Sequence, residues 1–215
     1  MTEISCDAIL FDMDGTLVDS TACVVRQWRL WTERHGLDFD SVLRVSHGRP
    51  TSETIREVAP HLATEQEFRA FEQAEIEDRS GVKEVAGARL FLDSVPRGRW
   101  AVVTSASGEL ARVRIECAGL PVPEVLISAD RIERGKPDPE GFLLAARLLK
   151  AAPERCLVIE DSPAGIQAGR AAGMRVLGMT TTFADADLGC DLCVADFQNM
   201  SLVLDANASL RVRIE

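Results

Sequence analysis

The sequence predicts a doubly wound α/β fold, in which helices cover both faces of a parallel sheet, with a helical cap inserted after the first strand. Two observations support this. Five short apolar runs alternate with helical patterns, which is typical of a parallel sheet buried on both faces. Residues 17–85, between the first two runs, are too many for an ordinary connection in a compact domain. The runs are Ala8–Phe11, Trp100–Val103, Val125–Ile127, Cys156–Ile159 and Arg175–Met179.

Helical patterns occupy the segments between these runs, as a doubly wound domain requires. They cover residues 88–95, 110–118, 139–149 and 164–171. The final apolar stretch, Leu210–Ile214, is predicted to be an edge strand. Ligands of such domains bind at the carboxyl ends of the strands, so polar residues at those positions are candidates for a functional site.

The long segment after the first strand is itself predicted to be helical. Apolar residues recur at helix spacing in Thr21–His35, and helical patterns also cover residues 52–58 and 65–79. We therefore predict a discontinuous core of residues 1–16 and 86–215, with a cap of residues 17–85. Trp28 and Trp31 are assigned to the interior of the cap and not to a site.

Composition narrows the function classes. The chain has 215 residues, is 46% hydrophobic and carries a net charge of −10. It lacks the Lys/Arg clusters that neutralise nucleic acid phosphates, and no apolar run approaches the ~18 residues of a membrane helix. Its six scattered cysteines, including the Cys190/Cys193 pair, suit reduced thiols. We expect a cytoplasmic protein, monomeric or weakly dimeric, that binds neither nucleic acid nor membrane.

Two carboxylates follow the first predicted strand. Asp12 and Asp14 lie two residues apart where Ala8–Phe11 ends, and Gly15 permits a sharp turn after them. In isolation, such a pair is as consistent with a capped turn as with a catalytic site. Residues at the other strand ends favour the catalytic interpretation.

Phosphate-binding groups are predicted after the second and third strands. Thr104 and Ser105 offer hydroxyl and backbone N–H donors before a predicted helix. Lys136, one of three lysines, lies in the segment 134–139, where two prolines and a glycine stiffen the loop. A rigid cation at this edge of the sheet favours a phosphate-binding role over a solvated surface lysine.

Acidic residues also end the fourth strand. Glu160 and Asp161 follow a fully apolar run, where they would be costly neighbours for Asp12 and Asp14 unless a cation lay between them. Clustered carboxylate oxygens around a phosphate site favour Mg²⁺.

These four segments resemble the motifs of haloacid dehalogenase (HAD) superfamily phosphatases with a helical cap. The segments are Asp-Met-Asp-Gly-Thr from Asp12, Thr-Ser-Ala-Ser from Thr104, Arg-Gly-Lys-Pro-Asp-Pro from Arg134 and Glu-Asp-Ser-Pro-Ala-Gly from Glu160. They occur in the family's order across nearly the whole chain. The resemblance implies a Rossmann-like core and hydrolysis of a small phosphorylated metabolite.

The resemblance also implies a role for each motif residue. Asp12 would be the nucleophile that forms an aspartyl-phosphate, and Asp14 the general acid and base. Mg²⁺ would be held by the Asp12 side chain, the Asp14 backbone carbonyl and Asp161, with Glu160 in or near its coordination shell. Thr104 and Lys136 would bind the transferring phosphoryl group, while Asp19 and Ser20 would serve as hinge and helix cap.

Specificity is expected to come from the cap. His47 and Arg49, between helices of the insert, are candidates for contacts with substrate hydroxyls or phosphate. The cap and the segment from Ala118 resemble the sugar-phosphate and hexitol-phosphate branch of the family. A phosphomutase of the β-phosphoglucomutase type shares all four motifs, but such mutases carry a His where this chain has Val24. A non-catalytic phosphate-ligand binder is the remaining alternative, although no catalytic motif residue is missing.

Overall fold

The computed structural model describes residues 2–46, 49–206 and 209–215. Its strands are β1 (Thr2–Cys6), β2 (Ala8–Phe11), β3 (Val18–Asp19), β4 (Lys83–Glu84), β5 (Trp100–Val103), β6 (Leu126–Ile127), β7 (Cys156–Glu160), β8 (Arg175–Met179), β9 (Cys193–Val194), β10 (Met200–Leu204) and β11 (Leu210–Ile214). Its α-helices are α1 (Thr21–His35), α2 (Phe39–Ser46), α3 (Thr51–Val58), α4 (Glu65–Glu77), α5 (Ala88–Ser94), α6 (Gly108–Cys117), α7 (Glu140–Leu149), α8 (Pro163–Ala171) and α9 (Asp185–Leu188).

The central sheet has the strand order β6-β5-β2-β7-β8-β9, and all its neighbouring strands are parallel. The chain runs from β2 outward through β5 to β6, then returns to β7 on the other side of β2. This reversal creates a crevice at the carboxyl ends of β2 and its neighbours, where ligands of doubly wound sheets bind. The predicted fold class is confirmed.

Both faces of the sheet are buried, as its short apolar strands predict. Leu10 of β2 belongs to an apolar cluster with Phe142 of α7, whereas Ile9 and Phe11 belong to the cluster on the opposite face, with Phe91 of α5. Successive residues of a strand point to opposite faces, so one apolar run supplies both clusters. Within the described residues, no helix is long and apolar enough to cross a membrane.

A second, antiparallel sheet has the order β1-β11-β10. The predicted strand Leu210–Ile214 is confirmed as β11, but its expected edge position is wrong, because β1 and β10 pair with it on both sides. Its alternation of buried and half-buried residues is typical of a sheet with one face on the core. Strand β1 was not predicted: it begins with two exposed residues and alternates only from Ile4 to Cys6, which is a weaker sequence signal than a continuous apolar run.

Residues 17–85, called the insert below, contain a separate apolar cluster. Strands β3 and β4 pair antiparallel at its base, and helices α1 to α4 lie between them in the chain. Trp28 and Phe71 pack with ring centroids 4.3 Å apart, and Trp31 lies 5.4 Å from Trp28 in an edge-to-face arrangement. Helix α1 has the predicted bounds, whereas α2 was not predicted.

Candidate active site

Asp12 lies at the centre of the crevice. It directly follows β2, and its backbone N–H donates to the carbonyl of Ile159 in β7 at 3.0 Å, so two strands fix its position. The loop that follows turns at Gly15, whose φ of +83° is unfavourable for other residues. A Cβ at Gly15 would also overlap the carboxylate of Asp161. Gly15 therefore lets the loop after β2 lie against Asp161 at the end of β7.

Lys136 is the buried cation between two of the acidic residues. Its Nζ donates to Oδ1 of Asp12 and to Oε1 of Glu160, the latter at 2.6 Å, and only 6% of its side chain is exposed. Burial acts to lower the pKa of Lys136, but the two carboxylates outweigh it and raise the pKa above its usual range. The lysine therefore partly neutralises the acidic cluster.

Three buried carboxylates share this region. Those of Asp12, Glu160 and Asp161 each place an oxygen within 4.8 Å of the others. Burial raises the pKa of Asp161 to about 7 and that of Asp12 well above its usual value; Lys136 opposes both shifts, and neighbouring carboxylates add to them. With all three carboxylates ionised, Lys136 leaves the cluster two negative charges. An all-oxygen donor set with this charge fits a hard divalent cation.

The carboxylates of Glu160 and Asp161 are held by different hydrogen-bond partners. Glu160 is fully buried, and its Oε2 accepts from the backbone N–H of Ser162 at 2.6 Å and from the Ser162 hydroxyl at 2.9 Å. Asp161 accepts a longer hydrogen bond, 3.3 Å, from the Thr16 hydroxyl, and the Thr182 side chain also hydrogen-bonds to it. Glu160 therefore contacts Lys136 directly, and Asp161 is held by hydroxyl groups.

Asp14 is held through both of its oxygens. Oδ1 accepts from the Ser20 hydroxyl at 2.6 Å, and Oδ2 accepts from Nη1 of Arg114 at 2.7 Å. The expected helix-cap role of Ser20 is wrong, because its side chain makes no capping hydrogen bond to α1. The Ser20 hydroxyl is instead turned toward Asp14, to which it donates a hydrogen bond.

Thr104 and Ser105 lie where β5 ends. The backbone N–H of Thr104 donates to Ile127, and its Oγ1 accepts from the N–H of Ala106 at 3.1 Å. Because Oγ1 is the acceptor in this bond, the hydroxyl can still donate its own proton to a ligand oxygen. Ser107 caps α6 by accepting from the backbone N–H of Leu110 at 3.3 Å.

One pocket brings these motifs together. Among the residues that line it, the core supplies Asp12, Asp14, Thr104, Ser105, Lys136 and Asp161, and the insert supplies Val24, Trp28, Ser46, Arg49, Thr51 and Glu75. Arg49 is 46% exposed and pairs with Glu57. His47 lies outside the described residues. Trp28 packs inside the insert, as predicted, and it also lines the pocket.

Comparison with known proteins identifies the family. A model described as haloacid dehalogenase-like hydrolase matches residues 6–173. The chain belongs to this family. It is 41% identical over 179 residues to hexitol phosphatase A of Escherichia coli, covering 81% of this chain and 83% of that protein. It is 35% identical over 211 residues to glycerol-1-phosphate phosphohydrolase 2 of Saccharomyces cerevisiae, covering 90% and 84%.

Solved structures of other proteins share the fold. A hydrolase from Pseudomonas syringae aligns with a TM-score of 0.76 at 22% identity, covering 88% of this chain and 93% of that one. CbbY from Rhodobacter sphaeroides, solved as a point mutant in complex with xylulose-(1,5)bisphosphate, aligns with a TM-score of 0.73 at 23% identity, covering 89% and 95%. At these identities the comparisons establish the architecture alone.

Sequence reasoning missed Arg114 and Glu75, which complete the polar wall of the pocket. Nη2 of Arg114 donates to Oε1 of Glu75 at 2.7 Å, and each side chain is only 6% exposed. Burial raises the pKa of Glu75, and Arg114 opposes that shift. Nothing local in the sequence signals the contact, because each residue occupies an ordinary position on a charged helix.

Proposed function

We propose that this HAD-family hydrolase is a Mg²⁺-dependent phosphatase that acts on a small sugar or sugar-alcohol phosphate. The observation that carries the proposal is the placement of Asp12 in a pocket with Lys136, Thr104 and a second carboxylate, Asp14. A nucleophile, two phosphate-binding groups and an acid/base group are what transfer of a phosphoryl group to an enzyme carboxylate requires. Family membership and the two relatives named as phosphatases support the same reaction.

The cluster of carboxylates supports a Mg²⁺ site. Asp12 and Asp161 would supply side-chain oxygens, Asp14 would supply its backbone carbonyl, and Glu160 would lie in or beside the coordination shell. When bound, the ion supplies positive charge that keeps Asp12 ionised and reduces its repulsion of the incoming phosphate.

The chemistry then divides between the two aspartates. Asp12 attacks phosphorus and forms an aspartyl-phosphate while the bond to the substrate oxygen breaks. Asp14 gives its proton to the departing alkoxide, then takes one from the water that hydrolyses the acyl phosphate. Lys136 and the Thr104 hydroxyl stabilise charge on the transferring oxygens. The products are an alcohol and inorganic phosphate.

Support for a polyol substrate comes from the relatives and from the wall of the pocket. The two relatives are named for hexitol and glycerol phosphates, which carry several hydroxyl groups. In this chain the insert contributes Ser46, Arg49 and Thr51 to the pocket, which are groups suited to hydroxyls. We propose that residues 17–85 act as a cap that closes over the substrate and selects it, while residues 1–16 and 86–215 form the catalytic core.

We propose that the reaction takes place in the cytoplasm. The six cysteines are all free thiols, which supports a reducing compartment. Phosphorylated polyols small enough for this pocket would be the partners of the protein there.

A substrate panel tests the proposal. Purified protein is incubated with Mg²⁺ and hexitol, hexose and glycerol phosphates plus β-glucose 1-phosphate, and both free phosphate and isomerised sugar phosphate are measured. We expect phosphate release that a chelator stops and Asp12→Asn abolishes. Asp191→Asn, at a fully exposed aspartate, is the matched control and should retain activity.

Other outcomes would assign a different function to the chain. Isomerisation of β-glucose 1-phosphate without phosphate release would make it a mutase, although Val24 lines the pocket where such mutases carry a His. Phosphate binding without turnover of any compound would favour the non-catalytic binder. Full activity in Asp12→Asn would contradict the aspartyl-phosphate mechanism.

A further inference from the structure

We propose that Arg114 is a positioning residue for Asp14, and that Glu75 of the insert holds Arg114 in place, an inference that rests on the proposed phosphatase function. The three side chains form a continuous chain of contacts. Arg114 donates from Nη1 to Asp14 and from Nη2 to Glu75, both at 2.7 Å. The two aspartate oxygens are therefore held by different parts of the molecule, one by Ser20 and the other by Arg114.

Because Arg114 and Glu75 are buried, each charge depends on its protein partners. Arg114 and Glu75 are each 6% exposed in their side chains, so neither charge is compensated by bulk water. Within the part of the chain that the structure describes, Nε of Arg114 has no hydrogen-bond partner. The two carboxylates are thus the hydrogen-bonding partners that hold the guanidinium. A planar guanidinium suits two carboxylates because its donors point in fixed directions.

The contacts join separate elements of the fold. Arg114 lies on α6 of the core, Glu75 near the end of α4, and Ser20 immediately before α1. The start and the end of the insert therefore converge on Asp14, Ser20 directly and Glu75 through Arg114. The acid/base carboxylate is held in this position only when the insert is docked against α6.

The consequence for catalysis depends on the leaving group. A polyol leaves as a strongly basic alkoxide, so its departure needs the proton that Asp14 supplies. Acetate and nitrophenolate, the leaving groups of acetyl phosphate and p-nitrophenyl phosphate, are weak bases and need little protonation. A misplaced Asp14 should therefore slow phosphoryl transfer from a polyol phosphate far more than transfer from an activated phosphate. The parameter kcat/KM reports this first step.

The experiment compares kcat/KM for a polyol phosphate with that for acetyl phosphate and p-nitrophenyl phosphate. Arg114→Met should lower the polyol value on the order of 100-fold and the activated values about tenfold or less. Arg114→Lys keeps the charge but not the forked geometry and should recover part of the polyol activity. Arg112→Met, at an exposed arginine on the same helix, is the control and should change neither value.

Glu75→Gln provides a second test that leaves Arg114 and Asp14 in place. It retains a hydrogen-bonding side chain of the same size, so it should fold even if Arg114→Met does not. We expect a polyol-selective decrease of several-fold, and no decrease in the control Glu77→Gln, an exposed position on the same helix.

The outcomes separate the inference from the function it rests on. Equal loss on all substrates in Glu75→Gln and Arg114→Lys, with unchanged melting temperatures, would overturn the positioning role while leaving a phosphatase. Unchanged kinetics in both variants would overturn it as well. A wild-type protein that releases phosphate from none of the substrates would overturn the proposed function and this inference with it.

Discussion

Gly165 lies directly against the carboxylate of Glu160, so close that a Cβ at this position would overlap the carboxylate carbon and both oxygens. The glycine is in the first turn of α8, and Glu160 is the last residue of β7. Because Glu160 bonds Lys136 and Ser162, any displacement of its carboxylate also moves the buried lysine beside Asp12. The missing Cβ of Gly165 is thus what lets the Glu160 carboxylate hold Lys136 beside Asp12.

We predict that Gly165→Ala lowers phosphate release by more than about 100-fold and destabilises the protein by about 1–3 kcal/mol, as overpacking does. Activity and the melting temperature would be measured together. The matched control is Gly169→Ala on the same helix, whose Cβ would lie 2.9 Å from a methyl group of Val176, away from the acidic cluster. Gly169→Ala should lower the melting temperature and keep kcat. An active Gly165→Ala enzyme would show that Glu160 does not set the position of Lys136.

Asp161 should govern the effect of Mg²⁺ on stability. A ligand that binds only the folded state, at a hundredfold excess over its Kd, stabilises it by about 3 kcal/mol. We therefore expect Mg²⁺ to raise the melting temperature of the wild type by several degrees, and Asp161→Asn to lose most of that shift. Without Mg²⁺, Asp161→Asn should melt at or above the wild type, because burial disfavours the ionised Asp161 carboxyl and raises its pKa to about 7.

Thermal melts with and without Mg²⁺ check both parts of this expectation. Asp191→Asn removes a fully exposed carboxylate and serves as the control, with a Mg²⁺ shift equal to that of the wild type. An undiminished shift in Asp161→Asn would mean that Asp161 is not a ligand.

The sequence predicted the features whose signals are local. The runs of β2 and β5 have no polar residue, so their burial follows from composition alone. The motifs follow the predicted strands, which the alternation of strands and helices locates. Asp12, Asp14, Thr104, Lys136 and Asp161 could therefore be placed at one edge before their distances were known.

The features that sequence reasoning missed depend on contacts between distant elements. Arg114 and Glu75 are 39 residues apart, and each looks like one of many charges on a helix surface. Only the docking of α4 against α6 buries them together. Ser20 was misassigned for a related reason: its position before α1 suggests a cap, but Asp14, six residues earlier, is the acceptor that its hydroxyl contacts.

Asp78 should make stability depend on pH in the acidic range. It accepts from Nε and Nη2 of Arg26 and from Gln27, each at 2.7 Å, and so ties the segment after α4 to α1. The hydrogen bonds from Arg26 are the main cause of its pKa falling to about 2. A depressed pKa contributes stability that is complete above about pH 4, the unfolded value, and is lost as the pH falls toward 2.

The ion pair of Asp78 with Arg26 contributes on the order of 1–2 kcal/mol to the free energy of unfolding, because Arg26 is 40% exposed and water screens the pair. We expect the difference in unfolding free energy between wild type and Asp78→Asn to be constant from pH 7 to about 4 and to shrink toward pH 2. Urea titrations at a series of pH values measure it, with Glu77→Gln as the neighbouring control. A difference that stays constant down to pH 2 would contradict the assignment.

Arg49 should affect substrate binding more than stability. It lines the pocket, but its ion pair with Glu57 is between side chains that are 46% and 52% exposed, and such pairs contribute little to folding. We predict that Arg49→Ala raises KM for polyol phosphates by about tenfold, with kcat within a few-fold of the wild type, because it removes binding that ground and transition states share. The melting temperature should stay within about 1–2 °C of the wild type.

Variants of Glu57, the ion-pair partner, and of Arg44, a nearby arginine, show whether the effect belongs to Arg49 itself. Glu57→Gln releases Arg49 from its ion pair without removing it, so KM should fall or stay unchanged if Arg49 binds the substrate. Arg44→Ala, at an exposed position on α2, should leave both constants unchanged. If Arg49→Ala and Glu57→Gln raise KM equally, the ion pair itself matters, because it would be shaping the loop before α3 and not contacting the substrate. The two variants therefore distinguish recognition by the arginine from a structural role for the pair.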